Sequence, residues 1–464
     1  MPRSKTSRAT RGRRRTGCLN CRNRRIKCDE KKPCSYCTRR GLECIQPEFI
    51  VRHGWSESTA ATTAANNEPA TSYETFRQIY SAEHAGTALP STEVTVSGEV
   101  LTNETAKLLR IYQQGIGTWM DILDHSLTFQ RQVLSSALSS PLLFHSICAL
   151  SAKQMSLTQD NRLWEPISSH HYGESFRLLI HDVTVEGTKR ATMLSATILL
   201  CSYELLAFPG ADYQRHLFGG RTLIEADFDV VSATNLGRAS FWIYARQDVS
   251  LALVNERPTL IPPKEWPAVP FSNERQEDAL GKRILWLLAR VIEVRFTIPS
   301  DFDGDTLEDN LDAIVSEIVH WSESVPSHAR GVDIQGDLAD GLKQSWFCVP
   351  SAAAGCLYYH LAKILCFEFW LQRPAGPVPN DILSAGLRNH ALEIASICLS
   401  PGISDGALVV AVNPLFYAAK HIRSLSLEAR IWALLEDIEC RLGFHTRNRV
   451  SQLQRGWVSR REST

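Results

Sequence analysis

Six cysteines, Cys18, Cys21, Cys28, Cys34, Cys37 and Cys44, follow one another at gaps of two, six, five, two and six residues. Two CxxC pairs, each followed six residues on by a third cysteine, form an internal repeat. Thiolates at CxxC spacing can share one tetrahedral zinc at about 2.3 Å, and the third cysteine of each half can return to the same ion. Two such ions need about eight coordination positions between them, so six thiolates suffice only if two of them bridge both metals. A set closed in this way leaves no position for water and serves structure, not catalysis. Almost nothing apolar lies between these cysteines. Zinc binding in small domains releases about 10–16 kcal/mol of apparent free energy, more than a core of this size could supply, so metal takes the place of the core.

The same region is strongly basic. Residues 1–53 hold sixteen Lys or Arg against four Asp or Glu, while the whole chain balances 50 basic against 50 acidic residues. A basic segment on a mildly acidic remainder suits a polyanion, nucleic acid first and membrane phosphate second. A guanidinium can bridge O6 and N7 of guanine, a contact worth about 1–3 kcal/mol of discrimination, while other basic residues set register on phosphates. The run RGRRR at 11–15 reads as a nuclear import signal, a phosphate clamp or both. The opening MPRSKTSRATRGRRRTG lacks the apolar stretch of a secretory signal. The expected setting is therefore a reducing compartment, where clustered cysteines bind metal instead of pairing as disulfides.

This spacing, the run CRNRRIKCD and Pro33 just before the fourth cysteine closely resemble the fungal binuclear zinc cluster transcription factors over residues 18–44. The resemblance implies a DNA-binding domain with two zinc ions, bridged by Cys18 and Cys34. It implies a short first helix that enters the major groove at CGG triplets, with Arg24 and Arg25 on the bases, Arg25 foremost, and Arg22 and Lys27 on phosphates. It further implies a nuclear regulator of RNA polymerase II genes, with double-stranded DNA and the transcription machinery or coregulators as partners and a homodimer left open. The competing reading is a zinc-stabilised, corepressor-like interaction factor without direct DNA contact.

Composition divides the chain into a basic disordered arm at 1–17, the cluster at 18–44, a flexible linker at 45–98 and a helical body at 99–464. The linker assignment rests on stretches such as WSESTAATTAANNEPATS, small, polar and without apolar period. In SLEARIWALLEDIECRLG, Leu427, Ile431, Leu434, Leu435, Ile438 and Leu442 share one stripe, Ser426 is placed to cap the start, and Gly443 to stop the helix. Ser140 before Pro141 and Asn413 before Pro414 read as two more helix starts. ATMLSATILLCSYELLAF, interrupted by Glu204 and several hydroxyls, reads as a buried helix and not a membrane span. The expected fold class is a small binuclear zinc cluster DNA-binding domain plus a large all-α multi-helix regulatory domain, joined by a disordered linker. WMDILDHSLTFQ, SPLLFHSICALSAKQ, LLCSYELLA, HLFGGRTLIEA and FWIYARQDVSLAL resemble the helical regulatory region of many such factors, including relatives of the acriflavine sensitivity control protein. That resemblance implies an all-α, repeat-like, regulatory and non-enzymatic body.

Other candidates carry less. Arg246, Gln247 and Asp248 interrupt an apolar helix and read as a buried hydrogen-bond network, with a ligand-sensing pocket as the sharper reading. GISDG matches the GxSxG nucleophile elbow, but the stretch before it is helical in period, so Ser404 reads as part of an interhelix turn. His170 and Glu174 in HHYGE lack a third ligand, and DFDGDTLEDN has its glycine at the wrong place for a calcium loop and reads as an acidic turn. The seven remaining cysteines read as small core residues.

Overall fold

Side-chain caps from Cys34, Thr102, Ser140, Thr234, Ser404 and Ser424 mark where several of the helices begin. The computed structural model describes Asp29, Lys31 and residues 34–40, 95–96, 99–159, 161–184, 190–207, 214–267, 269–271, 273–297, 304–337, 342–373 and 379–462. The chain divides into two units, Met1–Ala70 and Thr71–Thr464. In the first, the described helix is α1 (Ser35–Arg39). The described part of the second opens with a short hairpin, β1 (Thr95–Val96) and β2 (Glu99–Val100), followed by α2 (Asn103–Gln114) and α3 (Ile116–Met120). A π-helical turn at Phe129–Val133 runs into α4 (Leu134–Ala137). The body continues through α5 (Pro141–Thr158), α6 (Asn161–Thr184), α7 (Arg190–Ala207), α8 (Gln214–Ala226), α9 (Phe228–Ala233) and α10 (Asn235–Asn255). After α11 (Glu277–Phe296) and α12 (Gly304–Ser324) comes an antiparallel pair, β3 (Val332–Asp337) and β4 (Lys343–Trp346). Five helices close the chain: α13 (Pro350–Leu371), α14 (Asn380–Leu399), α15 (Asp405–Ala419), α16 (Leu425–Leu442) and α17 (Arg447–Glu462).

Local chemistry accounts for these boundaries. Thr102 and Thr105 form a reciprocal capping box at α2. Ser140 caps α5 with Pro141 at its first position, as the sequence predicts. The start of α16 differs by two residues from expectation: Ser424, not Ser426, accepts from Leu427 N–H. Gly443 does end that helix, in the left-handed conformation at φ 74°. Pro414 lies inside α15, which starts at Asp405 under a Ser404 cap, so the Asn413–Pro414 start is overturned. A proline is tolerated there at the loss of one helical N–H donor. The acidic stretch expected as a turn is helical from Gly304 onward, and its residues 301–303 lie outside the described set. The expected linker, 45–98, likewise lies outside it apart from Thr95–Val96, which pair with Glu99–Val100. The arm at 1–17 is also outside it.

One continuous apolar cluster runs from Leu108 to Trp457 through the second unit. Each large side chain fully buried there contributes about 1.5–3 kcal/mol. α5 packs along α6, and α13 crosses α11, α14 and α15. At the α11–α13 crossing, a Cβ on Gly281 would come within 2.6 Å of Leu123 Cδ2, and one on Gly355 within 3.6 Å of Gly281 Cα. The missing side chain of Gly281 is what makes room for Leu123 there. Of the apolar segment at 191–208, residues 191–207 form most of α7 and are largely buried, and among the described residues no helix is long and apolar enough to cross a membrane. Cys148, Cys201, Cys366 and Cys398 are buried as expected, whereas Cys348 and Cys440 are exposed, so the core assignment fails for those two.

Candidate functional site

Two of the six clustered cysteines are described, and they occupy one turn of helix. Cys34 is the N-cap of α1 in extended conformation, and its Sγ accepts from Cys37 N–H at 3.4 Å. Both side chains are fully buried. The Cys34 carbonyl accepts from Thr38 N–H at 3.0 Å and from Thr38 Oγ1 at 3.1 Å, which fixes the backbone carrying both sulfurs. Asp29 ties the helix start to the preceding loop: its carboxylate accepts from Ser35 N–H at 3.2 Å and from the Ser35 hydroxyl. That hydroxyl holds the Asp29 carboxyl below its ordinary range. Sequence reasoning missed Asp29, although an acid directly after Cys28 and six residues before a serine was the available signal. Cys18, Cys21, Cys28 and Cys44 lie outside the described residues, as do Arg22, Arg24, Arg25 and Lys27. A buried thiol pair on one helical turn is a donor set that fits zinc. Among the described residues no three potential ligands converge to hold a metal.

In the second unit the polar trio of α10 reaches three different elements. Arg246 Nη2 donates to the carbonyls of Trp119 at 2.9 Å and Met120 at 3.1 Å, at the end of α3, and the Tyr358 hydroxyl lies beside its guanidinium. Burial lowers its pKa from the ordinary arginine value. Gln247 Nε2 donates to Ser202 Oγ on α7 at 2.7 Å, while its Oε1 is buried without a partner. Asp248 accepts from Leu260 N–H at 2.8 Å and Ile261 N–H at 3.2 Å, pinning the segment after α10. Burial pushes its carboxyl up to about 6, against the opposing pull of those N–H groups. Nearby, Asp121 accepts from Phe129 N–H at 2.9 Å and Gln130 N–H at 2.8 Å, seeding the π-helical turn. It is 4% exposed, and burial raises it to about 7. The network predicted from sequence is present, and so is a cavity beside it. α3, α7, α10, α13 and α15 border a partly open cavity of about 110 Å³, lined by Arg246, Gln247, Ser202 and mostly apolar side chains.

The remaining candidates resolve into structure. Ser404 Oγ accepts from Ala407 N–H at 3.3 Å as the α15 cap, and the element before it is the helix α14, so no nucleophile elbow exists there. Glu174 pairs with Arg177 at 2.8 Å on the same helix. Its neighbour His171 instead meets His145, Nδ1 to Nδ1 at 2.8 Å, one ring donating and the other accepting. Burial and the neighbouring imidazoles hold His171 well below the ordinary histidine value.

The family described as Fungal specific transcription factor domain matches residues 107–463, and that described as Fungal Zn(2)-Cys(6) binuclear cluster domain matches residues 16–52. The latter domain binds two zinc ions. Among curated proteins, Transcription activator AMTR1 of Alternaria alternata is 20% identical over 76% of this chain and 63% of its own length. Transcriptional regulatory protein moc3 of Schizosaccharomyces pombe is 58% identical over 8% of each chain, a stretch of 40 residues. The chain thus spans less than two thirds of the length of these relatives. No solved structure matches it.

Proposed function

Because the chain belongs to the fungal specific transcription factor family, we propose that it is a zinc-dependent, sequence-specific DNA-binding regulator of RNA polymerase II genes acting in the nucleus. The observation that carries this reading is the buried Cys34–Cys37 pair on the first turn of α1, followed at once by Arg39 and Arg40. Cys18, Cys21, Cys28, Cys34, Cys37 and Cys44 would hold the two zinc ions, with Cys18 and Cys34 shared between them. Zinc there supplies folding free energy, about 10–16 kcal/mol in domains of this size, and no reaction chemistry.

Arg24 and Arg25 then read a CGG-type triplet of double-stranded DNA in the major groove, while Arg22 and Lys27 hold phosphates. Residues 45–98 tether this domain to the helical region 99–464, which meets the transcription machinery or coregulators. The test uses the zinc-loaded full chain on a CGG duplex and a scrambled duplex at matched salt, since affinity falls with a log–log slope of about 0.9 per phosphate contacted. Arg25→Ala is expected to erase the preference for CGG, worth about 1–3 kcal/mol, with little loss on scrambled DNA. Lys27→Ala is expected to weaken both duplexes alike. Equal binding to both duplexes by the unmodified chain defeats sequence recognition and favours the interaction-factor reading, while identical behaviour of the two variants defeats the division of roles.

A further inference from the structure

The cavity beside α10 combines an apolar lining with one half-buried cation. Leu205, Ile243, Leu361, Val410 and Phe444 supply much of its wall. Arg246 enters that wall with its Nη2 spent on two carbonyls and the Tyr358 hydroxyl beside it, which leaves donors over on a group with five. Among the described residues no carboxylate forms an ion pair with it. Asp121, the acid whose field reaches it, commits its oxygens to Phe129 and Gln130 N–H. Trp119, another lining residue, holds a buried Nε1 that also lacks an acceptor.

A guanidinium half-buried against hydrocarbon without a counterion gives up part of its hydration, and carbonyl dipoles repay only part of that cost. Helix packing alone would be satisfied by an uncharged donor at this position. What the site lacks is an anion, and what surrounds the gap is hydrocarbon. A neutral apolar guest would leave the charge unpaired, a cation would be repelled, and a polyanion would strand charge against Leu and Val. We propose that this cavity is a binding site for an apolar monocarboxylate, its carboxylate paired with Arg246 and its hydrocarbon body lying among Leu205, Ile243, Leu361 and Val410. Binding there joins α3, α7, α10, α13 and α15 through one guest, which makes the site a point where a small metabolite acid stabilises the helical body.

The test uses the zinc-loaded full chain without DNA, so its outcome is independent of DNA recognition. Calorimetric titration compares 3-phenylpropionate, 3-phenylpropanol and 3-phenylpropylamine, three compounds with one apolar body and different headgroups. The acid is expected to bind at least about tenfold tighter than the alcohol, and the amine not measurably. Arg246→Met should equalise acid and alcohol, Arg246→Lys should retain the preference for acid, and Val410→Trp, which fills the cavity without touching the charge, should abolish binding of both. Circular dichroism establishes that each variant is folded; should Arg246→Met fail to fold, the Arg246→Lys and Val410→Trp results decide. Equal affinity for acid and alcohol, acid binding weaker than about 1 mM, retained acid preference in Arg246→Met, or undiminished acid binding in Val410→Trp each overturns the proposal.

Discussion

Asp121 offers a quantitative test of how the helical body handles buried charge. Its carboxyl titrates at about 7 in the fold, against 3.8 for the ordinary group, because burial outweighs the two N–H groups that favour its ionised form. A rise of that size corresponds to on the order of 4 kcal/mol. The sign follows from proton counting. Between the two values the folded state holds a proton that the unfolded state has released, so stability falls as pH rises through that window. From about pH 5 to about pH 8 the unmodified protein should lose about 2.5 kcal/mol through this one group. Asp121→Asn removes the titration while keeping shape and one acceptor. At about pH 5 it should destabilise by about 1–2 kcal/mol through one imperfect N–H bond, and at about pH 8 it should be neutral or stabilising. Asp124, Arg246 and Tyr112 are the charged and titratable groups around it, and what each does to the Asp121 charge is already contained in its raised value. Urea unfolding followed by far-ultraviolet circular dichroism on both full chains, at matched ionic strength, measures it. A difference between the two proteins that is constant with pH, or that grows towards alkaline pH, would refute the reasoning.

Three further outcomes are expected. Cys34→Ser removes a thiolate while leaving a hydroxyl able to cap α1, so zinc content by elemental analysis should fall from about two ions per chain towards none. Gly281→Leu drives a side chain into Leu123 at the α11–α13 crossing and should cost about 3 kcal/mol or more, seen as a lowered unfolding midpoint. Asp248→Ala leaves the Leu260 and Ile261 N–H groups without their acceptor and should cost about 2 kcal/mol, with faster proteolysis between Glu256 and Trp266 as its local signature.

The elements most legible in the sequence were those with strong local chemistry. Ser140–Pro141, the stripe from Leu427 to Leu442 and Gly443 all behave as their residue types dictate. Local chemistry misled where two signals competed. Ser424 and Ser426 are both good caps, and only the register of Leu427 and Ile431 against the core selects the first. Asn413–Pro414 looks like a helix start, yet Ser404 already starts that helix, and the burial of Val412, Leu415 and Phe416 carries it through the proline. The polar trio announced a network but not its partners, since Trp119, Ser202 and Leu260 are distant in sequence from α10 or lie beyond its end. The exposed Cys348 and Cys440 show the limit of reading burial from residue type alone.

Arg246, Gln247 and Asp248 leave α10 at bearings about 100° apart, because successive residues of a helix turn by that angle. Their anchors lie on α3, on α7 and on the strap beyond α10. The helix is therefore stayed like a mast: sliding, rolling or tilting slackens one line only by overtightening another. Small independent drifts of α10 are suppressed, and any displacement large enough to matter must release several lines together. In hydrogen-exchange terms the amides at the middle of α10 should open only when the whole helical body opens, which makes this turn the natural place to read global stability from a single peptide.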